Sequence, residues 1–250
     1  QQDDALQLEF DGPGIKGAFR IPDHDRARRG LTARFERLHW PEVSPGLAAS
    51  TAKPATPLDP RTLPPLHLWV KDLKLGASQF GEARVETRPD ELGMRIDQFD
   101  TRSPVLTVRG NGWWRLTPEG ERSGLDITFS SEDLGKMLGT LGYAGLVDGG
   151  QTVARLSGDW AGSPAQFGLP HMVGALTGEV GPGRIVDVNP GAGRLFGLVN
   201  FAAIPRRLTL DFRDFFEKGM AFDSIQAGFR LQEGDAFTDD LAIDSASAEI

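Results

Sequence analysis

The sequence predicts a mainly β protein built on one antiparallel sheet, with two or three short α-helices. Three observations lead to this prediction. Short segments in which apolar and polar residues alternate recur along the chain of 250 residues. Turn signals separate these segments, in a sequence that contains 31 glycines and 17 prolines. Only a few short stretches have the apolar spacing of a helix. Together these features favour strands that follow each other through short turns.

The first 40 residues are predicted to be the N-terminal strands of the sheet. Leu8 and Phe10 alternate with polar neighbours, and residues 11–14, Asp-Gly-Pro-Gly, turn the chain. Phe19 holds an apolar position in the returning strand, and a third alternating segment follows. Since successive side chains of a strand point to opposite faces, each strand has one apolar and one polar face. Leu8, Phe10 and Phe19 are therefore predicted on the apolar side.

Residues 41–65 change in composition to Pro, Ala, Ser and Thr, which predicts a linker or a long loop between strands. The alternating segments return over residues 66–250. Leu68, Ile127 and Phe229 occupy apolar positions in three of them. These assignments rest on alternation alone, and a shift of one residue would move each side chain to the other face.

Three stretches in the second part of the chain predict short helices. The first, near 131–141, has acidic residues in its first turn and an apolar stripe behind them. The second, near 192–203, must end before Pro205, because proline disfavours the helical conformation of the residue ahead of it. The third lies near 212–218. A short and nearly all-apolar helix is not stable alone in water, so we expect the helix near 192–203 to lie across an apolar sheet face.

The composition excludes several classes of function. The chain has no cysteine, which removes disulfides, thiolate metal sites and cysteine nucleophiles. Its net charge of −8 makes it a poor partner for nucleic acid. The four histidines lack the spacing of metal ligands, and no serine lies in the GxSxG context of a hydrolase. We therefore expect a protein that is not an enzyme, with no catalytic residue, no metal and no cofactor.

The segment from Val186 to Ile225 carries a distinctive series of motifs. A proline-glycine turn is followed by Gly-Ala-Gly-Arg-Leu, a short apolar helix, Pro-Arg-Arg-Leu, Leu-Asp-Phe-Arg-Asp and a Lys-Gly segment that ends in Phe-Asp. This series resembles the C-terminal region of the YhdP branch of the AsmA-like envelope proteins, which are related to the TamB-type bridge-like lipid transfer proteins. A weaker resemblance extends over much of residues 63–250.

The resemblance implies both a fold and a function. The fold would be a long curved, twisted antiparallel sheet forming a groove. The function would be a non-enzymatic phospholipid conduit between the inner and outer membranes of a Gram-negative envelope. The chain would then be the periplasmic part of an inner-membrane-anchored protein, with its membrane anchor outside this segment. Phospholipid is the implied partner, together with proteins of the inner and outer membranes.

The one-sided alternation itself allows two interpretations. In an ordinary β-sandwich, the apolar face would bury against a second layer, and the protein would be a structural or interaction module of the envelope with a filled core. In a curved open sheet, the concave apolar face would hold acyl chains. A hydrophobic content of 39% fits both, and the resemblance favours the groove. The predicted groove liners are Leu8, Phe10, Phe19, Leu68, Ile127 and Phe229.

Arg194 is the candidate for contact with a lipid headgroup. It follows Gly191-Ala192-Gly193 at the predicted start of a helix, where free N–H groups can bind anions. The glycine spacing misses the dinucleotide fingerprint, and the Lys-Ser/Thr pair of a P-loop is missing. The main interpretation is that these glycines permit a tight reversal of the chain. The alternative is that Arg194 binds a phospholipid phosphate.

Overall fold

The computed structural model describes residues 5–40, 58–76, 78–141, 144–186, 219–232 and 234–245. In this part of the chain, strands dominate and helices are short, so the predicted mainly β class is confirmed. Contacts divide the chain into two units. The first comprises Gln1–Pro104 and Val108–Ser123, and the second comprises Val105–Thr107 and Gly124–Ile250.

The first unit is one sheet whose strands lie side by side in chain order. These strands are β1 (Ala5–Asp11), β2 (Ile15–Pro22), β3 (Leu31–Trp40), β4 (Leu66–Leu75), β5 (Ser78–Pro89), β6 (Gly93–Arg102) and β7 (Thr107–Thr117). Short turns join most of them, as the spacing of the turn signals predicts. A helix of one turn, α1 (Arg26–Arg29), lies in the basic connection between β2 and β3.

The pair of β3 and β4 is parallel, whereas the other pairs with a defined register in this unit are antiparallel. A parallel pair needs a long connection, because the chain must return to the end of the sheet where it started. The connection here is the Pro- and Ala-rich segment 41–65. Most of that segment lies outside the described residues, and its last part forms a 3-10 turn, Pro60–Thr62, against β5 and β6.

Among the strand pairs of the first unit with a defined register, shifts interrupt the regular pairing at three places. One lies between Lys16 and Gly17 on β2, one near Leu73 on β4, and one between Glu86 and Thr87 on β5. Gly17 has a φ of +149°, and a Cβ there would collide with the carbonyl oxygen of Arg34. Only glycine fits this position without strain.

Strand β8 (Gly120–Ser131) begins in the first unit and continues into the second. The further strands of the second unit are β9 (Val147–Gly149), β10 (Thr152–Ala161), β11 (Val173–Val180), β12 (Gly183–Ile185), β13 (Ala221–Phe222), β14 (Ser224–Gln232), β15 (Asp235–Phe237) and β16 (Ala242–Asp244). In the larger sheet of this unit, β8, β10, β11, β14 and β15 lie side by side, and β16 also pairs with β14. The smaller sheet has the order β13-β12-β9.

Helix α2 (Leu134–Thr140) forms within the stretch 131–141 that the sequence predicts as helical. The Asp133 carboxylate accepts a hydrogen bond from the Lys136 backbone N–H over 2.9 Å, which satisfies one of the free donors of the first turn. The helices predicted near 192–203 and 212–218 lie outside the described residues, as does Arg194. Within the described ranges, no helix is long and apolar enough to cross a bilayer.

Candidate functional site

Two rows of paired residues cross the sheet of the first unit on one face, which we call the apolar face. Residues directly opposite each other in a ladder share a face of the sheet. The first row follows the register from β1 to β6 through Leu8, Phe19, Ala33, Leu68, Val85 and Phe99. The second row follows it through Phe10, Gly17, Phe35, Val70, Ala83 and Thr101. Four of the predicted liners, Leu8, Phe10, Phe19 and Leu68, are therefore on the same face.

Burial along the apolar face falls from its centre to its margin. Val70 is 0% exposed, and Phe35 and Ala83 beside it are also buried. Phe10, Phe19 and Leu68 are partly buried and pack against this centre, and the rings of Phe10 and Phe35 are 6.1 Å apart. Leu8 on the outer strand β1 is 41% exposed.

Further side chains of the same sheet, among them Ile15, Leu38 and Phe80, also pack against this centre.

The opposite face of the same strands is charged and hydrated. Glu9, Ala18, Arg34, Trp69, Arg84 and Asp100 form the row between the two apolar rows. Ion pairs join neighbouring strands there, including Lys16 to Glu36 at 3.0 Å. Because these pairs are exposed, each contributes little to stability, and their main effect is to keep this face in water. The sheet is thus apolar on one side only.

Glu86 and His67 form such a pair across β4 and β5, with His67 Nδ1 2.5 Å from a carboxylate oxygen of Glu86. Burial raises the pKa of Glu86, but hydrogen bonds from His67 and Arg84 outweigh it, so this pKa lies below its usual value. The carboxylate is therefore charged at neutral pH.

The remaining two predicted liners are in the second unit. Phe229 on β14 lies directly opposite Leu176 on β11, which lies opposite Leu156 on β10. Phe229 is partly buried, and Ile127 on β8 is buried. The second unit therefore has an apolar row of its own, with Leu156, Leu176 and Phe229 crossing three neighbouring strands.

A cavity of about 440 Å³ lies over β1 to β4 of the first unit. The charged residues that line it belong to the face opposite the apolar rows. Ala18 lies between Glu9 and Arg34 in that face, and its small side chain leaves space there. Trp69 is at its border, where its indole N–H donates to Glu82 over 3.0 Å. Phe10 and Phe35 of the second apolar row line the cavity as well.

Thr101 is the apolar-face residue that sequence reasoning missed. It stands opposite Ala83 in the second row, is buried, and its hydroxyl has no hydrogen-bond partner among the described residues. Alternation in β6 could have placed it on the apolar face, but the shift of register near Thr87 changes the phase of the pattern there. No group of three or more His, Asp or Glu side chains within the described ranges could hold a metal ion.

Comparison with known proteins identifies the family. The YhdP protein family matches this sequence over residues 1–250, the full length of the chain. The chain belongs to the YhdP protein family. Among curated proteins, the intermembrane phospholipid transporter YhdP of Escherichia coli (strain K12) is 28% identical over 162 residues. The aligned region covers 64% of this chain and 13% of that relative, so the chain spans a small part of the relative's length. No solved structure matches the chain.

Proposed function

We propose that this YhdP-family chain is part of a non-enzymatic conduit that carries phospholipid between the inner and outer membranes of a Gram-negative envelope. The observation on which the proposal rests is the apolar face, where two mainly apolar rows of residues cross six strands while the other face is charged. The name of the Escherichia coli relative, an intermembrane phospholipid transporter, supports phospholipid as the cargo.

The apolar face can shield acyl chains while headgroups remain in water. Each methylene removed from water stabilises the bound lipid by about 0.8 kcal/mol. The partly buried side chains of Phe10, Phe19 and Leu68 and the exposed Leu8 form a margin that can receive an acyl chain without displacing the buried centre around Val70. The acyl chain would thus cross β1 to β4, from Leu8 to Leu68. Ile127 and Phe229 would extend the same role to the second unit, and Arg194 would bind the phosphate.

In this proposal the chain works in the periplasm, as part of a protein anchored in the inner membrane. Proteins of the two membranes would be its partners at the ends of the conduit. In this role the chain shields the acyl chains of a phospholipid from water while the lipid moves from one membrane to the other. Such a transfer requires no nucleophile, general base or metal.

A second candidate is a structural module of the envelope with a filled core. The buried centre formed by Ala33, Phe35, Val70, Leu73 and Ala83 favours it, because these side chains already fill the middle of the face. The two candidates differ at the margin. A conduit uses Leu8 and its neighbours to bind acyl chains, whereas a scaffold has no ligand there.

Leu8 and Trp69 provide a matched test, since they are 41% and 38% exposed and lie on opposite faces of the sheet. Neither Leu8→Gln nor Trp69→Gln should change the free energy of unfolding by more than about 1 kcal/mol. We expect Leu8→Gln to weaken binding of a fluorescent phospholipid about tenfold. Trp69→Gln should bind as the wild type does. Equal binding by both variants and the wild type, or no binding by the wild type, would favour the scaffold.

A further inference from the structure

The loop at residues 162–172, between β10 and β11, exposes two large apolar side chains. Phe167 is 47% exposed and Leu169 is 36% exposed. We propose that this loop docks on a phospholipid bilayer by inserting Phe167 and Leu169 into the interface between headgroups and acyl chains. The inference rests on the proposed function, since it supplies the place where the apolar row of the second unit meets a membrane.

The Phe167 side chain is held in place by its neighbours. The ring of Phe167 packs edge-on against Trp160, with 5.2 Å between the ring centroids. Trp160 is buried at the end of β10, and its indole N–H donates to the Ser163 carbonyl over 3.1 Å. Because its position is fixed before binding, Phe167 loses little conformational freedom when it enters a membrane.

Several backbone groups of the loop have hydrogen-bond partners within the loop itself. Ser163 and Gln166 form a reciprocal capping box, in which the Gln166 side chain accepts from the Ser163 N–H over 2.9 Å. Gly162 has a φ of +100°, and a Cβ there would collide with that Gln166 side chain. Further backbone bonds run from Phe167 to Pro164 and from His171 to Gly168. Polar groups that already have partners lower the cost of moving the loop into an apolar medium.

The sequence around the loop is free of formal charge. Residues 160–178 contain no Asp, Glu, Lys or Arg, in a chain where 25% of residues are charged. Nineteen residues with the average composition of this chain would include about five charged residues, and a charged side chain near Phe167 would oppose insertion into a bilayer. A bilayer accepts apolar side chains without complementary charges. A protein partner would be selected by polar groups around the apolar contact, and residues 160–178 supply no charged ones.

The loop is also continuous with the apolar row of the second unit. Trp160 is an even number of residues from Leu156 along β10, so both side chains lie on one face. Leu156 is paired with Leu176 and, through it, with Phe229. The 3-10 turn Leu169–His171 lies close to β14, the strand that carries Phe229. A docked loop would therefore place one end of this row at the membrane surface.

Flotation of the 250-residue protein with phosphatidylcholine vesicles tests the proposal. We expect the wild type to float with the vesicles, and Phe167→Asp and Leu169→Asp each to weaken vesicle binding about tenfold. Leu92→Asp is the matched control, because Leu92 is 57% exposed in the turn between β5 and β6 and follows two acidic residues. It should bind as the wild type does. Since the loop carries no charge and the chain carries −8, added phosphatidylglycerol or lower salt should not strengthen binding.

Folding and lipid loading are followed in the same samples. Circular dichroism shows whether Phe167→Asp still folds, and Leu169→Asp does not alter the contact with Trp160. Loading is measured with a short-chain phosphatidylcholine present as monomers, which needs no vesicle. Loss of flotation with loading retained in both loop variants supports the proposal. Loading without flotation of the wild type, or equal flotation of Leu169→Asp and Leu92→Asp, overturns it while leaving the proposed function intact. Flotation that depends on the loop, without any loading, contradicts the proposed function instead.

Discussion

Thr101 places a hydroxyl among apolar side chains at the buried centre of the apolar face. A buried donor without a partner costs about 1–3 kcal/mol. We therefore expect Thr101→Val, which removes the hydroxyl and nearly keeps the shape, to raise the free energy of unfolding by about 1 kcal/mol in urea denaturation. Thr101→Ser keeps the hydroxyl and should give no such gain. A destabilised Thr101→Val variant would show that the hydroxyl is satisfied in the folded protein.

Asp133 stabilises the start of α2 through its carboxylate. The backbone N–H of Lys136, and then the Lys136 side chain, hold the pKa of Asp133 below its usual value. A carboxyl whose folded-state pKa is lowered stabilises the fold above its unfolded pKa, about 3.9, and this contribution is lost as pH falls through the folded pKa. Asp133→Ala should therefore cost about 1 kcal/mol at pH 7. The difference from wild type should shrink below about pH 4, and an unchanged difference there would contradict the assignment.

Gly17 lies at the shift of register between β2 and β3, and its lack of a side chain lets the two strands approach each other there. Alanine at this position would have to adopt a φ of +149° and would meet the Arg34 carbonyl and the Cα of Phe35. We expect Gly17→Ala to lower the free energy of unfolding by more than about 1 kcal/mol in urea denaturation. Gly12→Ala is the control, because a Cβ there has its nearest neighbour at 3.7 Å, an ordinary contact. A similar stability for both variants would show that the bulge relaxes without cost.

Alternation within single strands was enough to predict which side chains share a face, because regular strands have a period of two. It placed Leu8, Phe10, Phe19 and Leu68 together, although their role toward lipid stays a prediction. It could not predict the parallel pairing of β3 with β4, which depends on the path of the chain between them. Nor could it predict that Val70 is fully buried while Leu8 is exposed, because burial depends on the neighbouring strands. Thr101 was not predicted on the apolar face, because a shift of register between β5 and β6 changes the phase of the alternation before it.

In the described part of the first unit, strand geometry separates two kinds of surface. Apolar rows cross six strands on one side, and charged residues with their ion pairs occupy the other. Such an arrangement keeps the sheet hydrated on one face and leaves the other able to bind apolar groups along its margin. Membership of the YhdP protein family, which matches the full chain, fits the proposal that those groups are acyl chains.

Photo-crosslinking to phospholipid from neighbouring positions on the two faces tests this account most directly. A photoreactive amino acid is placed in turn at three apolar-row positions and at the adjacent residue of each strand, which points to the other face. The three pairs are Leu8 with Glu9, Leu68 with His67, and Phe229 with Arg230. The account predicts phospholipid adducts at Leu8, Leu68 and Phe229 and none at their neighbours. Adducts of equal yield on both faces, or none at any of the six positions, would contradict it.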